Sequence, residues 1–212
     1  IMPATNRGIK TFHMEAGLRA YDVRMPEQRN RILIDHMSNI LLPYRSYHRE
    51  NLIRENIHPS KIFVTGNTTF EAMEHFQPQI NESKILDTLG LDQDSYILVT
   101  AHRSENVDNL ENLAQIFEAL ELIAQEFKQE IIFPMHPRTQ SKIGNIRTSE
   151  SIRIIQPLGF YDFNYLLKNS FCILSDSGTA AEEGLFYKVP NVSLRMATER
   201  QETVESGGNI VS

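Results

Sequence analysis

Short apolar runs alternate with stretches of helical length along almost the whole chain, and this alternation constrains the fold more than any other feature. Runs at 9–14, 40–43, 62–65, 96–101, 131–135, 152–155, 171–174 and 190–193 have the length and residue types of strands. The stretches at 26–38, 44–55, 68–76, 110–126, 161–170 and 179–186 have the length of helices. Leu113, Ile116, Phe117 and Leu120 recur on one helical face, and Pro26 suits a first helical position. Strands alternating with helices build βαβ units, so the expected class is α/β with mostly parallel sheets covered on both faces. The pattern breaks at 77–95, where Gln77-Pro78-Gln79 and Leu89-Gly90-Leu91-Asp92 read as polar and turn-rich. The expected organisation is therefore a first α/β domain over 1–76, a linker region over 77–95 and a second α/β domain over 96–212.

Composition narrows the function. The 212 residues carry a formal net charge of −6, with Lys and Arg scattered among acids, so no basic stripe for nucleic acid stands out. The single cysteine, Cys172, sits in an apolar run and reads as a buried core thiol. No apolar stretch approaches the ~20 residues of a membrane span, and no leader is visible at Ile1-Met2-Pro3-Ala4, so a cytoplasmic location is expected. Neither an HExxH motif nor a cysteine pair is present, and no metal site is expected. Ser177 lacks the GxSxG elbow of a hydrolase nucleophile.

In an open parallel sheet, ligands bind outside the carboxyl ends of the strands, so the residues that follow each run are the candidates. His13 and Glu15 alternate with Phe12 and Met14, which places the two polar groups on one side and the apolar pair into the sheet. Glu27 falls at a helix N-terminus, where the macrodipole alone accounts for a carboxylate. His102 and Arg103 follow the run at 96–101, and His136 follows that at 131–135. An arginine fork beside an imidazole suits a diphosphate. Ser175-Asp176-Ser177-Gly178-Thr179 leads from a strand into a helix whose first N–H groups, with the Ser177 and Thr179 hydroxyls, make a phosphate cradle. Thr179 and Glu182 fit a capping box, while Glu183 is placed to bond the hydroxyls of a ribose. After the last run, Arg195 and Arg200 flank a Thr-Glu pair and suit a diphosphate, with a solvated charged helix as the alternative.

Taken in order, these motifs resemble those of the non-hydrolysing UDP-N-acetylglucosamine 2-epimerases. The matching elements are HMEAGLR at 13–19, PEQRNR at 26–31, VTGN at 64–67, VTAHRSEN at 99–106, SDSG with EE at 175–183, and TERQE at 198–202. The resemblance implies two Rossmann-like domains in the arrangement of GT-B glycosyltransferases. It further implies elimination of UDP across C1–C2, re-addition after C2 has inverted, no cofactor, and a product that feeds surface polysaccharide precursors. Residue by residue it makes Glu15, Glu27 and His102 catalytic. It assigns His13, Arg19, Arg103, His136, Phe163, Ser177, Gly178, Thr179, Glu183 and Arg200 to the UDP-sugar, with Glu183 at the ribose and Phe163 at the uracil. A UDP-sugar is the implied partner and a homodimer the implied assembly.

Thr179 stands where the family usually has a second glycine, and Gln201 where it has a proline. The match begins late in the first domain, without counterparts for the early strands and their catalytic Asp, and stops before the closing helices. The first domain is therefore expected to be incomplete. A non-catalytic UDP-binding remnant and a GT-B glycosyltransferase remain the alternative readings.

Overall fold

In a computed structural model, residues 1–144, 146 and 148–212 are described. They form two compact units: Ile1–Glu71 with Ala197–Gln201, and Ala72–Met196 with Glu202–Ser212.

The first unit contains α1 (Met2–Asn6), β1 (Phe12–Met14), α2 (Pro26–Met37), β2 (Ile40–Leu42), α3 (Ser46–Arg54) and the start of α4 (Thr68–His75). β1 and β2 pair in parallel, with His13 opposite Leu41. The run at 62–65 travels beside β2 through a bridge at Leu41 and Ile62 and a bond from Phe63 N to Leu41 O of 2.9 Å, but is not a full strand. Ala16, Leu41, Leu52, Ile57 and Ile62 form a small core. The side assignment of β1 is inverted from expectation. Phe12 and Met14 are 66% and 51% exposed, whereas His13 is half-buried. Asp35 of α2 binds the imidazole, so the covered face of this strand is held by a polar pair and not by apolar packing.

Gly17 is required by geometry. It has φ +79°, and a Cβ there would stand 2.2 Å from the carbonyl oxygen of His48. The close approach of the 15–19 loop to α3 depends on that missing side chain.

The second unit contains the remaining elements. They are α5 (Gln77–Asn81), α6 (Ile85–Leu89), β3 (Tyr96–Thr100), α7 (Ser104–Val107), α8 (Leu110–Phe127), β4 (Glu130–Pro134), α9 (Pro137–Gln140), β5 (Ile152–Ile155), α10 (Phe160–Lys168), β6 (Cys172–Ser175), α11 (Gly178–Tyr187), β7 (Asn191–Ser193), α12 (Gln201–Glu205) and β8 (Asn209–Val211). Six parallel strands lie in the order β5-β4-β3-β6-β7-β8. Alternate residues of the strands feed two cores. Ile97, Val99, Ile131 and Phe133 pack with Leu113, Phe117 and Leu120 of α8 on one face. Tyr96, Leu98, Ile132 and Ile173 pack with Leu166 and Leu167 of α10 on the other. This two-sided burial is why the central strands read as continuous apolar runs. The chain builds outward from β3 to β5 and then returns to β6 on the other side of β3, which puts the topological switch point beside β3.

Three expectations change in this unit. The stretch 77–95 carries α5 and α6 and packs beside α10 on one face of the sheet: Ile80 is fully buried, and Ser83 bonds Asp162 of α10 at 2.6 Å. The short strand β8 was not expected. It is three residues long, with Ile210 exposed, and its buried Asn209 side chain bonds those of Asn191 and Ser193, so its apolar pair is too short to read as a strand. The third is Thr179, which is the second residue of α11 and not its cap, so no capping box forms there. Cys172 is partly buried against the α8-side core, and burial pushes its thiol up to about 11.

Candidate functional site

The carboxyl ends of β3, β4 and β6 surround a cavity of about 250 Å³. Its lining includes Thr100, His102, Pro134, His136, Phe163, Ser177, Thr179 and Glu183. Six of the sequence-selected residues therefore meet in one place, although they come from five different loops and helices.

The start of α11 is suited to an anion. Ser177 is the cap residue and makes no side-chain bond to the helix N–H groups. Its hydroxyl pairs instead with that of Thr179 at 3.0 Å, while its own N–H is held by Ser175 Oγ at 3.0 Å. The first-turn N–H groups lack intrahelical acceptors, which suits them to phosphate oxygens. Gly178 is the first residue of the helix.

Glu183 lies one turn further along α11 and is only 7% exposed. Burial raises its carboxyl to about 7, against an Asn164 hydrogen bond that favours the ionised form. Phe163, adjacent in α10, adds an apolar wall. A buried acceptor beside an aromatic ring is a fitting receptor for a sugar hydroxyl pair and a flat base.

His102 is placed by a residue that the sequence reading passed over. Asp176 is fully buried, and its Oδ2 accepts from the backbone N of His102 at 2.9 Å, the backbone N of Arg103 at 2.8 Å and Asn106 Nδ2 at 3.1 Å. Its Oδ1 stands 3.3 Å from His102 Nδ1. Arg103 is not among the lining residues; its Nε donates to the Asp176 carbonyl at 2.7 Å, so it braces the loop. His136 stacks 5.5 Å from His102, ring centre to ring centre, and its Nδ1 accepts from Arg138 N at 3.1 Å. An aspartate one residue past a strand end was the signal available for Asp176.

The remaining candidates lie in the first unit. Glu15 follows β1 with φ 60°, a left-handed conformation that a non-glycine residue adopts at some cost. Arg31 Nη2 donates to its Oε2 at 2.7 Å; Tyr44 Oη and Arg200 Nη2 donate to its Oε1 at 2.9 and 3.0 Å. Burial works to raise this carboxyl, yet the Arg200 and Arg31 charges and these hydrogen bonds outweigh it and hold it at about 2. Arg200 is thus engaged by Glu15 and also lies over the Tyr44 ring at 5.9 Å. Glu27 occupies the first turn of α2, as its sequence position implied.

Arg19 and His13 are drawn into a structural network. Arg19 is 1% exposed, with Nε and Nη2 on Glu55 at 2.7 and 2.5 Å and Nη2 also 2.7 Å from Asp35. His13 Nδ1 bonds the other oxygen of Asp35 at 2.6 Å. Arg19, expected at the UDP-sugar, is instead seen held by the Asp35 and Glu55 carboxylates and the Leu18 carbonyl, with its guanidinium buried. Among the described residues no group of His, Cys, Asp and Glu is arranged to hold a metal, and no helix is long and apolar enough to cross a membrane.

Comparison with known proteins places the chain in a family. The chain is 40% identical to a UDP-N-acetylglucosamine 2-epimerase of Methanocaldococcus jannaschii, over 98% of the chain and 59% of that relative. It is 34% identical to a UDP-2,3-diacetamido-2,3-dideoxy-D-glucuronate 2-epimerase of Pseudomonas aeruginosa, over 99% of the chain and 58% of that relative. A crystal structure of the M. jannaschii UDP-GlcNAc 2-epimerase with UDP-GlcNAc and UDP superposes with a TM-score of 0.93 at 39% identity, covering all of this chain and 60% of that one. The chain thus spans about 60% of the length of the curated relatives it matches. The family model described as UDP-N-acetylglucosamine 2-epimerase matches residues 1–212, and the chain belongs to that family.

Proposed function

We propose that this chain carries the UDP-sugar site of an enzyme that inverts C2 of UDP-N-acetylglucosamine, giving UDP-N-acetylmannosamine, or of a related UDP-2-acetamido sugar. The observation that carries the reading is the cavity itself. It joins an uncapped helix start, a buried ribose-type acceptor in Glu183 and two histidines. The names of the relatives, and the UDP-GlcNAc and UDP bound in the M. jannaschii structure, support this choice of ligand.

In this reading the diphosphate sits on the α11 N-terminus with the Ser177 and Thr179 hydroxyls, the ribose on Glu183 and the uracil against Phe163. The C2 proton of the sugar has no neighbouring carbonyl to acidify it, so the reaction leans on departure of the diphosphate. His102 gives a proton to the leaving oxygen as the C1–O bond breaks. Glu15, kept ionised by its two arginines, is suited to stabilising positive charge at C1 and poorly suited to carrying a proton. The family resemblance carries over Glu27 as a second catalytic carboxylate, and the C2 proton goes to a carboxylate base of the enzyme. Re-addition of UDP to the resulting 2-acetamidoglucal, with the proton returned to the opposite face, completes the inversion. A homodimer accompanies this proposal as an expectation from the family resemblance, and a cytoplasmic location as an expectation from the sequence.

The test is incubation with UDP-N-acetylglucosamine alone, followed by proton NMR of the anomeric region. A manno-configured UDP-sugar supports the proposal. Sugar transfer that requires an acceptor would assign a glycosyltransferase, and UDP binding without any conversion would leave a binding module.

A further inference from the structure

We propose that Asp176 is a positioning residue that fixes the tautomer of His102, and that the pocket's two histidines are thereby held in opposite tautomers. The inference deepens the reading above and rests on it only for turnover.

Asp176 is fully buried, and its Oδ2 already accepts three hydrogen bonds. Its Oδ1 is also buried and has no hydrogen-bond partner among the described residues. An unsatisfied buried carboxylate oxygen costs on the order of 1–3 kcal/mol, so a donor that reaches it is favoured. His102 Nδ1 stands 3.3 Å from that oxygen. At this separation the two atoms are in contact without a formed hydrogen bond, and a neutral imidazole that turns to supply one does so with its hydrogen on Nδ1. Nε2 then keeps its lone pair as the nitrogen that exchanges protons in the cavity.

His136 is fixed the other way. Its Nδ1 accepts from the backbone N of Arg138 at 3.1 Å, which only an unprotonated Nδ1 can do. Its hydrogen therefore sits on Nε2. With the rings 5.5 Å apart, His136 offers a neutral donor to an anion while His102 carries the proton. Protonating His136 would break its bond to the α9 backbone, whereas protonating His102 leaves its contact with Asp176 intact.

The experiment is long-range ¹H–¹⁵N NMR of the labelled full chain at pH ~9, above the ordinary histidine range. The His102 and His136 signals are assigned by their loss in His102→Gln and His136→Gln. The expected unaltered chain has His102 protonated on Nδ1 and His136 on Nε2. In Asp176→Asn the amide can present N–H to His102 Nδ1, so the His102 pattern inverts and that of His136 stays. Calorimetric UDP affinity should hold within about threefold, while turnover falls roughly 10³-fold or more, as for a triad base forced into the wrong tautomer. An Nε2–H pattern for His102 in the unaltered chain overturns the proposal, as does an unchanged His102 pattern in folded Asp176→Asn. Should that variant fail to fold, the unaltered chain still decides. The tautomer readout needs no turnover, so a failure of the epimerase reading would be seen separately.

Discussion

Arg200 donates from Nη2 to Glu15 Oε1 at 3.0 Å, joining two residues 185 positions apart in sequence. The contact explains why Glu15 is an ionised carboxylate although it is mostly buried, since the Arg200 charge is the largest influence opposing burial. It also changes what the Thr-Glu-Arg triplet is for. The arginine is a neutralising partner of Glu15, where the sequence alone suggested a diphosphate contact.

Glu15→Gln should therefore reduce turnover by about 10²-fold or more while leaving UDP affinity within about twofold, because the charge at C1 is lost and the nucleotide contacts are not. Steady-state kinetics beside calorimetry separates the two.

The same carboxyl gives an acid-stability signature. Its folded value of about 2 lies below the ordinary 4.5, so its contribution is present above about 4.5 and is lost as pH falls towards 2. Discounted for a side chain 29% exposed, the contribution is roughly 2 kcal/mol. Urea unfolding of wild type and Glu15→Gln should differ at neutral pH and converge near the acid end.

Glu183 predicts the opposite slope. Its folded value of about 7 exceeds the ordinary 4.5, so the empty site is most stable below about 4.5 and loses stability as pH rises through 7, by up to roughly 3 kcal/mol. Glu183→Gln should raise the melting temperature at pH ~8 and flatten its pH dependence, yet weaken UDP binding by about tenfold. Scanning calorimetry with and without UDP reads both effects.

Gly17→Ala should cost roughly 3 kcal/mol or more. The added Cβ meets a backbone carbonyl that cannot swing away, and φ +79° penalises any side chain. The midpoint of a urea transition that reports the first unit is the measurement.

Ser177→Ala should weaken UDP binding about fivefold, which corresponds to one hydroxyl donor of roughly 1 kcal/mol. The helix itself should be unaffected, because Ser177 makes no side-chain cap bond.

Much of this was legible in the sequence because buried parallel strands and amphipathic helices leave strong periodic traces. The runs that became β3, β4 and β6, and the face of α8, are apolar for the packing reasons that the sequence pattern encodes. Features held by polar pairs left no such trace. The burial of His13 in place of Phe12 and Met14 depends on Asp35 from another element. The structural role of Arg19 needs Asp35 and Glu55 together. The short strand β8 has its buried Asn209 side chain bonded to those of Asn191 and Ser193. Asp176 was visible as a residue in the SDSG segment, but its partner His102 lies 74 positions away and only the β3–β6 pairing brings them together. Residues 77–95 looked like a connection because their two helices are only five residues each and lie among polar and turn-forming residues.

The central claim, that C2 of a UDP-2-acetamido sugar is the reacting carbon, is tested most directly by solvent isotope. The full chain is incubated with UDP-N-acetylglucosamine in deuterated water and the recovered nucleotide sugar is analysed by proton NMR and mass spectrometry. The account predicts loss of the C2 proton signal and a gain of one mass unit in the sugar, abolished by His102→Gln. Recovery of unlabelled substrate under conditions where UDP binding is saturated would contradict it.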